Sequence, residues 1–212
     1  FYENGLIGVL GLHYINSEHK SNEDEINLLK MVVNQLSIAM YQAELYEKTQ
    51  RQAQRESLLR RITEKIRSSL DVNDILFFIC EETSKALDVQ RVVIASFPDQ
   101  NDCDTTIIRQ EYKLFEELSS ILNQEDFSKI SSYWTCGIMK SGKILAIDDV
   151  ERSDTPDYFK KTYMQMGVKS LIGTPIKKEN SVWGNLVLSS YNQKREWTDE
   201  DKVLLQEIAD LS

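Results

Sequence analysis

The sequence has 212 residues, of which 41% are hydrophobic and 28% charged, as expected for a globular chain with a buried core. Its net charge of −9 argues against a nucleic-acid partner, because such proteins normally present a basic surface. No apolar run is long enough to span a membrane and no signal peptide precedes the first strand. The three cysteines lack metal-ligand spacing, so we expect a reduced, cytoplasmic protein.

The longest predicted element is a helix from Asn22 to about Leu70. Neither Gly nor Pro occurs between Leu12 and Phe97, and these are the residues that most often stop a helix. The first half carries an apolar stripe, whereas residues 46–56 are almost wholly polar. This pattern fits a weak coiled-coil seam with a polar centre, or a solvated connector helix, and the sequence does not choose between them.

Shorter elements of both kinds surround this helix. An apolar, β-prone segment covers residues 5–15. After the long helix, the pattern predicts a helix at 71–87, strands at 91–97 and 105–112, a short helix within 114–122, a strand at 143–150, a helix from Pro156 to Gly167, a hairpin of 170–177 with 181–191, and a final helix from Thr198. In that final helix, Val203, Leu204, Ile208 and Leu211 are the predicted inward residues.

The two ends of the chain form an internal repeat. Residues 4–36 align without a gap to residues 180–212, an offset of 176 positions. The predicted helix caps also correspond, Asn22 with Thr198 and Glu25 with Asp201. The identical pairs are Asn4/Asn180, Gly8/Gly184, Leu10/Leu186, Leu12/Leu188, Asn16/Asn192, Leu28/Leu204 and Leu29/Leu205. We therefore expect a C-terminal remnant of one domain at 1–45, a connector helix at 46–70, and a second domain with a truncated final helix at 71–212.

The second copy resembles a GAF domain. The residues that carry the resemblance are GTPIKKENSVWGNLVLSSYNQKREWTDEDKVLLQEIADLS, a hairpin followed by an aromatic-Thr-x-x-Asp helix start. The first copy, GLIGVLGLHYINSEHKSNEDEINLLKMVVNQLSIAMYQAELYEKTQ, resembles the same ending, and the whole is similar to tandem-GAF regions of bacterial, especially cyanobacterial, two-component proteins. The resemblance implies an α+β fold with an antiparallel sheet flanked by helices, one set of which forms a dimerising bundle. It therefore implies a homodimer.

The same resemblance bears on cofactors. Bilin-binding members carry a Cys-His pair on the helix before the penultimate strand, and the corresponding positions here are Tyr158 and Phe159. No histidine follows His19, so an axial haem ligand is also missing from the second domain. We therefore expect neither a bilin nor a haem, and no cofactor.

Cyclic-nucleotide-binding members show an Asn-Lys-Phe-Asp-Glu signature around the last strand and helix. The positions here are Asn192, Gln193, Trp197, Asp201 and Lys202, so two of the five match and the charged pair is lost. A cyclic-nucleotide site is accordingly the least favoured function. Members that reduce methionine sulfoxide need paired reactive cysteines, which Cys80, Cys103 and Cys136 do not suggest.

A pocket between sheet and helices is predicted from six residues, although aromatic residues at such spacing also serve as simple core. They are Tyr133, Trp134, Asp148, Tyr158, Phe159 and Tyr163.

We interpret the chain as a non-catalytic sensory or signal-relay segment of a two-component protein. It contains no phospho-acceptor His box and no Gly-rich nucleotide loop. The alternative is a degenerate GAF domain that only dimerises. The sequence identifies neither the small-molecule ligand nor the output domain.

Overall fold

The computed structural model describes residues 6, 8–13, 15, 18–97, 106–122, 137–179 and 181–211. They belong to two compact units, Phe1–Glu56 and Ser57–Ser212. The first unit contains most of helix α1, and the second contains a sheet with its helices.

Helix α1 runs without a break from Glu23 to Ser68, as the sequence predicts. It opens with a reciprocal capping box: the Glu25 amide donates to Asn22 Oδ1 at 2.9 Å, and the Asn22 amide donates to Glu25 Oε2 at 3.1 Å. Three acidic residues in its first turn and two basic residues in its last turn complement the helix dipole.

The strand predicted at residues 5–15 is not observed, since the described residues of that segment (6, 8–13 and 15) lie outside any strand. A strand needs a neighbour to satisfy its backbone hydrogen bonds. Among the described residues, the five strands pair only with one another, and none pairs with this segment.

The second unit follows the predicted order of elements with local departures, one of which is a short helical segment at residues 137–140. Its elements are α2 (Val72–Leu87), β1 (Arg91–Ser96), β2 (Ile107–Lys113), β3 (Leu145–Ile147), α3 (Asp157–Gln165), β4 (Ser170–Lys178), β5 (Ser181–Ser190) and α4 (Asp199–Leu211). Residues 114–122 form turns instead of the predicted helix, and β3 is only three residues long. The α+β fold class with an antiparallel sheet and a long N-terminal helix is confirmed.

The five strands form one sheet in the order β2-β1-β5-β4-β3, and every neighbouring pair is antiparallel. The predicted hairpin of β4 and β5 is present, and β5 also pairs with β1, where Val93 lies opposite Val187. Gly184, opposite Ser96, allows β5 to lie this close to β1. A Cβ atom at this position would overlap the Ala95 carbonyl oxygen.

Side chains alternate between the two faces of the sheet, which separates two apolar cores. One core joins the strand residues Val92, Ile94, Ile172, Leu186 and Leu188 to residues of α1, α2 and α4. The other core joins β3 and β4 to α3. Val93 and Ala95 of β1 and Asn185, Val187 and Ser189 of β5 face the second side, where they line a cavity.

Helix α4 has the capping box that the repeat predicts. The Asp201 amide donates to Thr198 Oγ1 at 3.1 Å, and the Thr198 amide donates to Asp201 Oδ2 at 3.2 Å. The predicted inward residue Val203 is instead 47% exposed, and Leu205 is fully buried in its place. Because Leu205 and Ile208 are three residues apart, they share one side of the helix that excludes Val203.

None of the described helices is both long and apolar enough to cross a membrane.

Candidate functional site

A cavity of about 40 Å³ lies on the face of the sheet away from α1, α2 and α4. Strands β1 and β5 form its floor, and α3 and the segments beside β2 form its walls. Its described lining is Arg91, Val93, Ala95, Thr106, Ile108, Ile121, Tyr163, Met166, Asn185, Val187, Ser189 and Tyr191.

Buried polar atoms without hydrogen-bond partners concentrate at this cavity. Four such side-chain atoms occur within the described residues, and three of them, Arg91 Nε, Thr106 Oγ1 and Asn185 Oδ1, belong to lining residues. Leaving a buried polar group unsatisfied costs about 1–3 kcal/mol, so native proteins contain few such groups. The fourth atom, Ser170 Oγ, lies elsewhere on β4.

The lining residue Arg91 forms a buried ion pair with Glu111 of β2. Arg91 Nε lies 3.0 Å from Glu111 Oε1, with the two side chains only 4% and 1% exposed. The Arg91 Nε–H is not aligned with that oxygen, so the contact is an ion pair without a hydrogen bond from Nε. The other guanidinium nitrogens donate to the Tyr191 hydroxyl at 2.5 Å and to the Ser119 carbonyl at 2.6 Å.

Glu111 is held from its other side as well. Ser120 Oγ donates to Glu111 Oε2 at 2.5 Å, and the Ile121 amide donates to the same oxygen at 3.2 Å. Burial raises the pKa of Tyr191 to about 12, although the Arg91 charge opposes this shift. Tyr191 therefore stays neutral, and the Arg91–Glu111 pair carries no net charge.

Of the predicted pocket residues that the structure describes, only Tyr163 lines the cavity. Its ring lies 4.3 Å from that of Phe159, which is fully buried in the second core. Tyr158 is 44% exposed. Asp148 Oδ1 accepts a hydrogen bond from the Trp197 amide at 3.0 Å. Tyr133 and Trp134 lie outside the described residues.

Described residues considered for cyclic-nucleotide binding and for thiol chemistry make contacts that stabilise the fold. Asp201 caps α4 and pairs with Arg195 at 3.0 Å, while Trp197 is buried in the first core. Burial raises the pKa of the Cys80 thiol far above its ordinary value, which keeps it in the unreactive thiol form. Cys103 and Cys136 lie outside the described residues.

Comparison with known proteins identifies the family. The sequence profile of the GAF domain matches residues 54–212, about three quarters of the chain. The chain belongs to the GAF domain family. Its sequence relatives are signalling proteins, and this GAF chain spans about a quarter or less of their length.

Two of these relatives are named as circadian input-output histidine kinases CikA. The Synechocystis sp. protein is 26% identical over 180 residues, covering 75% of this chain and 24% of that protein. The Synechococcus elongatus protein is 25% identical over 176 residues, covering 75% of this chain and 23% of that protein. A putative methyl-accepting chemotaxis protein of Synechocystis sp. is 21% identical over 198 residues, covering 92% of this chain and 19% of that protein.

Similar solved structures include GAF domains with bound bilins. The phycocyanobilin-bound GAF domain of a cyanobacterial phytochrome has a TM-score of 0.60 and 26% identity, covering 74% of this chain and 90% of that chain. The phycoerythrobilin-bound form has a TM-score of 0.63 and 25% identity, covering 74% and 91%.

These neighbours contradict the expectation that the domain binds no cofactor and, in particular, no bilin. That expectation rested on Tyr158 and Phe159 at the positions of a Cys-His pair, and the missing thiol concerns the covalent link alone. It says nothing about a molecule held by hydrogen bonds and apolar contacts. The described lining supplies polar anchors for a ligand, while its 40 Å³ is well below the roughly 300 Å³ of a complete drug-sized pocket.

Four residues at or beside the cavity are not predicted from the sequence: Arg91, Thr106, Glu111 and Asn185. Each lies in or beside a strand, and only the pairing of β1 with β2 and β5 brings them to one face. The signal in the sequence was a pair of opposite charges in two consecutive predicted strands, Arg91 and Glu111, which indicates a buried ion pair.

Proposed function

We propose that this chain is a non-catalytic sensory segment of a two-component signalling protein, whose GAF domain binds a small molecule noncovalently in the cavity described above. The observation that carries the proposal is the concentration of three unsatisfied buried polar atoms in one cavity. A ligand that completes their hydrogen bonds would stabilise the domain, because these buried atoms have no partner among the described residues. The names of the relatives support the signalling context.

The sheet offers a direct route from the ligand to the helices. Val93 and Asn185 line the cavity, while their neighbours Ile94 and Leu186 belong to the core shared with α1 and α4. A ligand that shifts β1 or β5 therefore changes the surface on which Leu58 of α1 packs. In this proposal α1, which is continuous from Glu23 to Ser68, passes the change onward.

The proposed domain organisation rests on the repeat. Residues 1–45 are the C-terminal remnant of a first GAF domain, 46–70 the connector, and 71–212 the second domain. The matching capping boxes at Asn22/Glu25 and Thr198/Asp201 support this assignment, because they begin helices at equivalent places 176 residues apart.

The proposal includes a homodimer through α1. Described apolar residues of its first half are exposed, among them Leu28, Met31, Leu36 and Met40. Light scattering should give twice the chain mass for the unchanged protein and for Gln50→Glu, a charged control on the same helix. Leu36→Glu should shift the mass towards that of one chain, and a monomeric unchanged protein would contradict the dimer.

The ligand proposal is tested by native mass spectrometry and absorbance on the intact chain. The protein is examined as purified, and again after incubation with phycocyanobilin or phycoerythrobilin, the pigments named for two of its structural neighbours. We expect either a co-purifying small molecule or a saturable pigment complex, and the molecule should separate from the chain in denaturant. A chain that is always empty would favour the alternative, a GAF domain that serves only as a dimerisation scaffold.

A further inference from the structure

We infer that the cavity takes an uncharged group that donates hydrogen bonds, of the size and kind of a primary amide, and that Asn185 and Thr106 recognise it. This inference rests on the proposed function, since it names the chemical class of the ligand at the same site. Three properties of the cavity carry it: the type of its unsatisfied atoms, its charge balance and its volume.

The unsatisfied atom on the floor is an acceptor. Asn185 is only 5% exposed, and its Oδ1 lacks a hydrogen-bond partner among the described residues. A carboxamide oxygen can only accept, so the group that completes it must carry an N–H or O–H. Thr106 Oγ1, the second unsatisfied atom, can donate or accept and therefore suits a group that offers both functions.

The charge balance disfavours an anion. Arg91 is the one charged residue among the described lining residues, and its charge is already neutralised by Glu111. An anion drawn to Arg91 Nε would lie beside the Glu111 carboxylate, which is itself 3.0 Å from that nitrogen. Like charges at such separations repel strongly away from water, so a neutral group is favoured.

The volume limits the size of the group. One water molecule occupies about 10–15 Å³ by this measure of volume. The cavity of about 40 Å³ thus has room for about three groups of that size, which matches a carboxamide. Val93, Ala95 and Val187 on the floor would contact its apolar side.

The test compares acetamide, acetate and acetone, which have the same number of non-hydrogen atoms. Acetamide is neutral and donates hydrogen bonds, acetate is an anion without a donor, and acetone is neutral without a donor. Each is titrated into the intact isotope-labelled chain while the side-chain amide resonance of Asn185 is followed by nuclear magnetic resonance. Asn185→Leu identifies that resonance, and Ser170→Ala, which removes an unsatisfied hydroxyl outside the cavity, is the matched control.

We expect a saturable shift with acetamide, at a dissociation constant at least tenfold lower than for acetate or acetone. Ser170→Ala should bind acetamide as the unchanged chain does, and Asn185→Leu, followed through Val187 methyl signals, should weaken binding at least tenfold. Equal or tighter binding of acetate or acetone would overturn the ligand class and leave the ligand site in place. The absence of a shift with all three would also overturn the ligand class, while the proposed function fails only if the purified chain is also always empty.

Discussion

Removing the charge of Glu111 should destabilise the domain far more than removing an exposed charge. The Arg91 and Glu111 side chains are 4% and 1% exposed, so Glu111→Gln leaves a buried guanidinium without a counter-ion. The substituted amide can still accept from Ser120 and Ile121, so the lost charge dominates the effect. Breaking a buried pair in this way costs about 3–5 kcal/mol of unfolding free energy.

The opposite single change, Arg91→Met, leaves the Glu111 carboxylate unpaired and should cost a similar amount. The double variant Arg91→Met/Glu111→Leu removes both charges. It should lose no more unfolding free energy than Arg91→Met alone or Glu111→Leu alone. The two single costs together should therefore exceed the double cost by about 3 kcal/mol.

Urea denaturation, followed by circular dichroism, measures these free energies. The matched control is Glu64→Gln, which breaks the exposed Arg60–Glu64 pair on α1, and we expect no measurable change there. Additive costs for Arg91→Met and Glu111→Leu, or a cost of Glu111→Gln no larger than that of the control, would refute the reasoning.

Three further predictions concern buried residues of the second unit. Gly184→Ala should lower the unfolding free energy by at least about 2 kcal/mol in urea denaturation, because the added methyl overlaps the Ala95 carbonyl, whereas Gly137→Ala, which meets open space, should not. The pKa of Tyr191 is raised from 10.0 to about 12, so its contribution to stability is complete below pH 10 and disappears as the pH rises towards 12. This part of the alkaline loss of stability should be missing in Tyr191→Phe. Peptide mapping after treatment with a thiol reagent should find Cys80 unmodified in the folded chain, since burial raises its pKa, and modified in denaturant.

Local signals predicted the elements of the fold well. The capping boxes at Asn22/Glu25 and Thr198/Asp201 depend on residues three positions apart, so the sequence displays them directly. The apolar runs of β1, β4 and β5 were equally visible.

Long-range contacts explain the failures. Residues 114–122 have helical spacing, but Lys113 Nζ donates to the Leu118 carbonyl and Glu111 accepts from the Ile121 amide, which ties this segment to β2. Tyr163 was predicted as a pocket residue and lies at the cavity, whereas Asn185 depends on the register of β5 against β1 and has no local signal. The expectation of no cofactor was wrong because it treated the absence of a Cys-His pair at Tyr158 and Phe159 as the absence of a bound ligand.

The most direct test of the ligand site compares occupancy and stability in Asn185→Leu, Ser170→Ala and the unchanged chain. Native mass spectrometry, on chains as purified or after incubation with the pigment, should show a bound small molecule in the unchanged chain and in Ser170→Ala, and none in Asn185→Leu. After removal of the ligand, Asn185→Leu should be more stable in urea than the unchanged chain by about 1 kcal/mol or more, because it lacks the unsatisfied Oδ1. An Asn185→Leu protein that retains the molecule, or that is less stable when empty, would contradict the account.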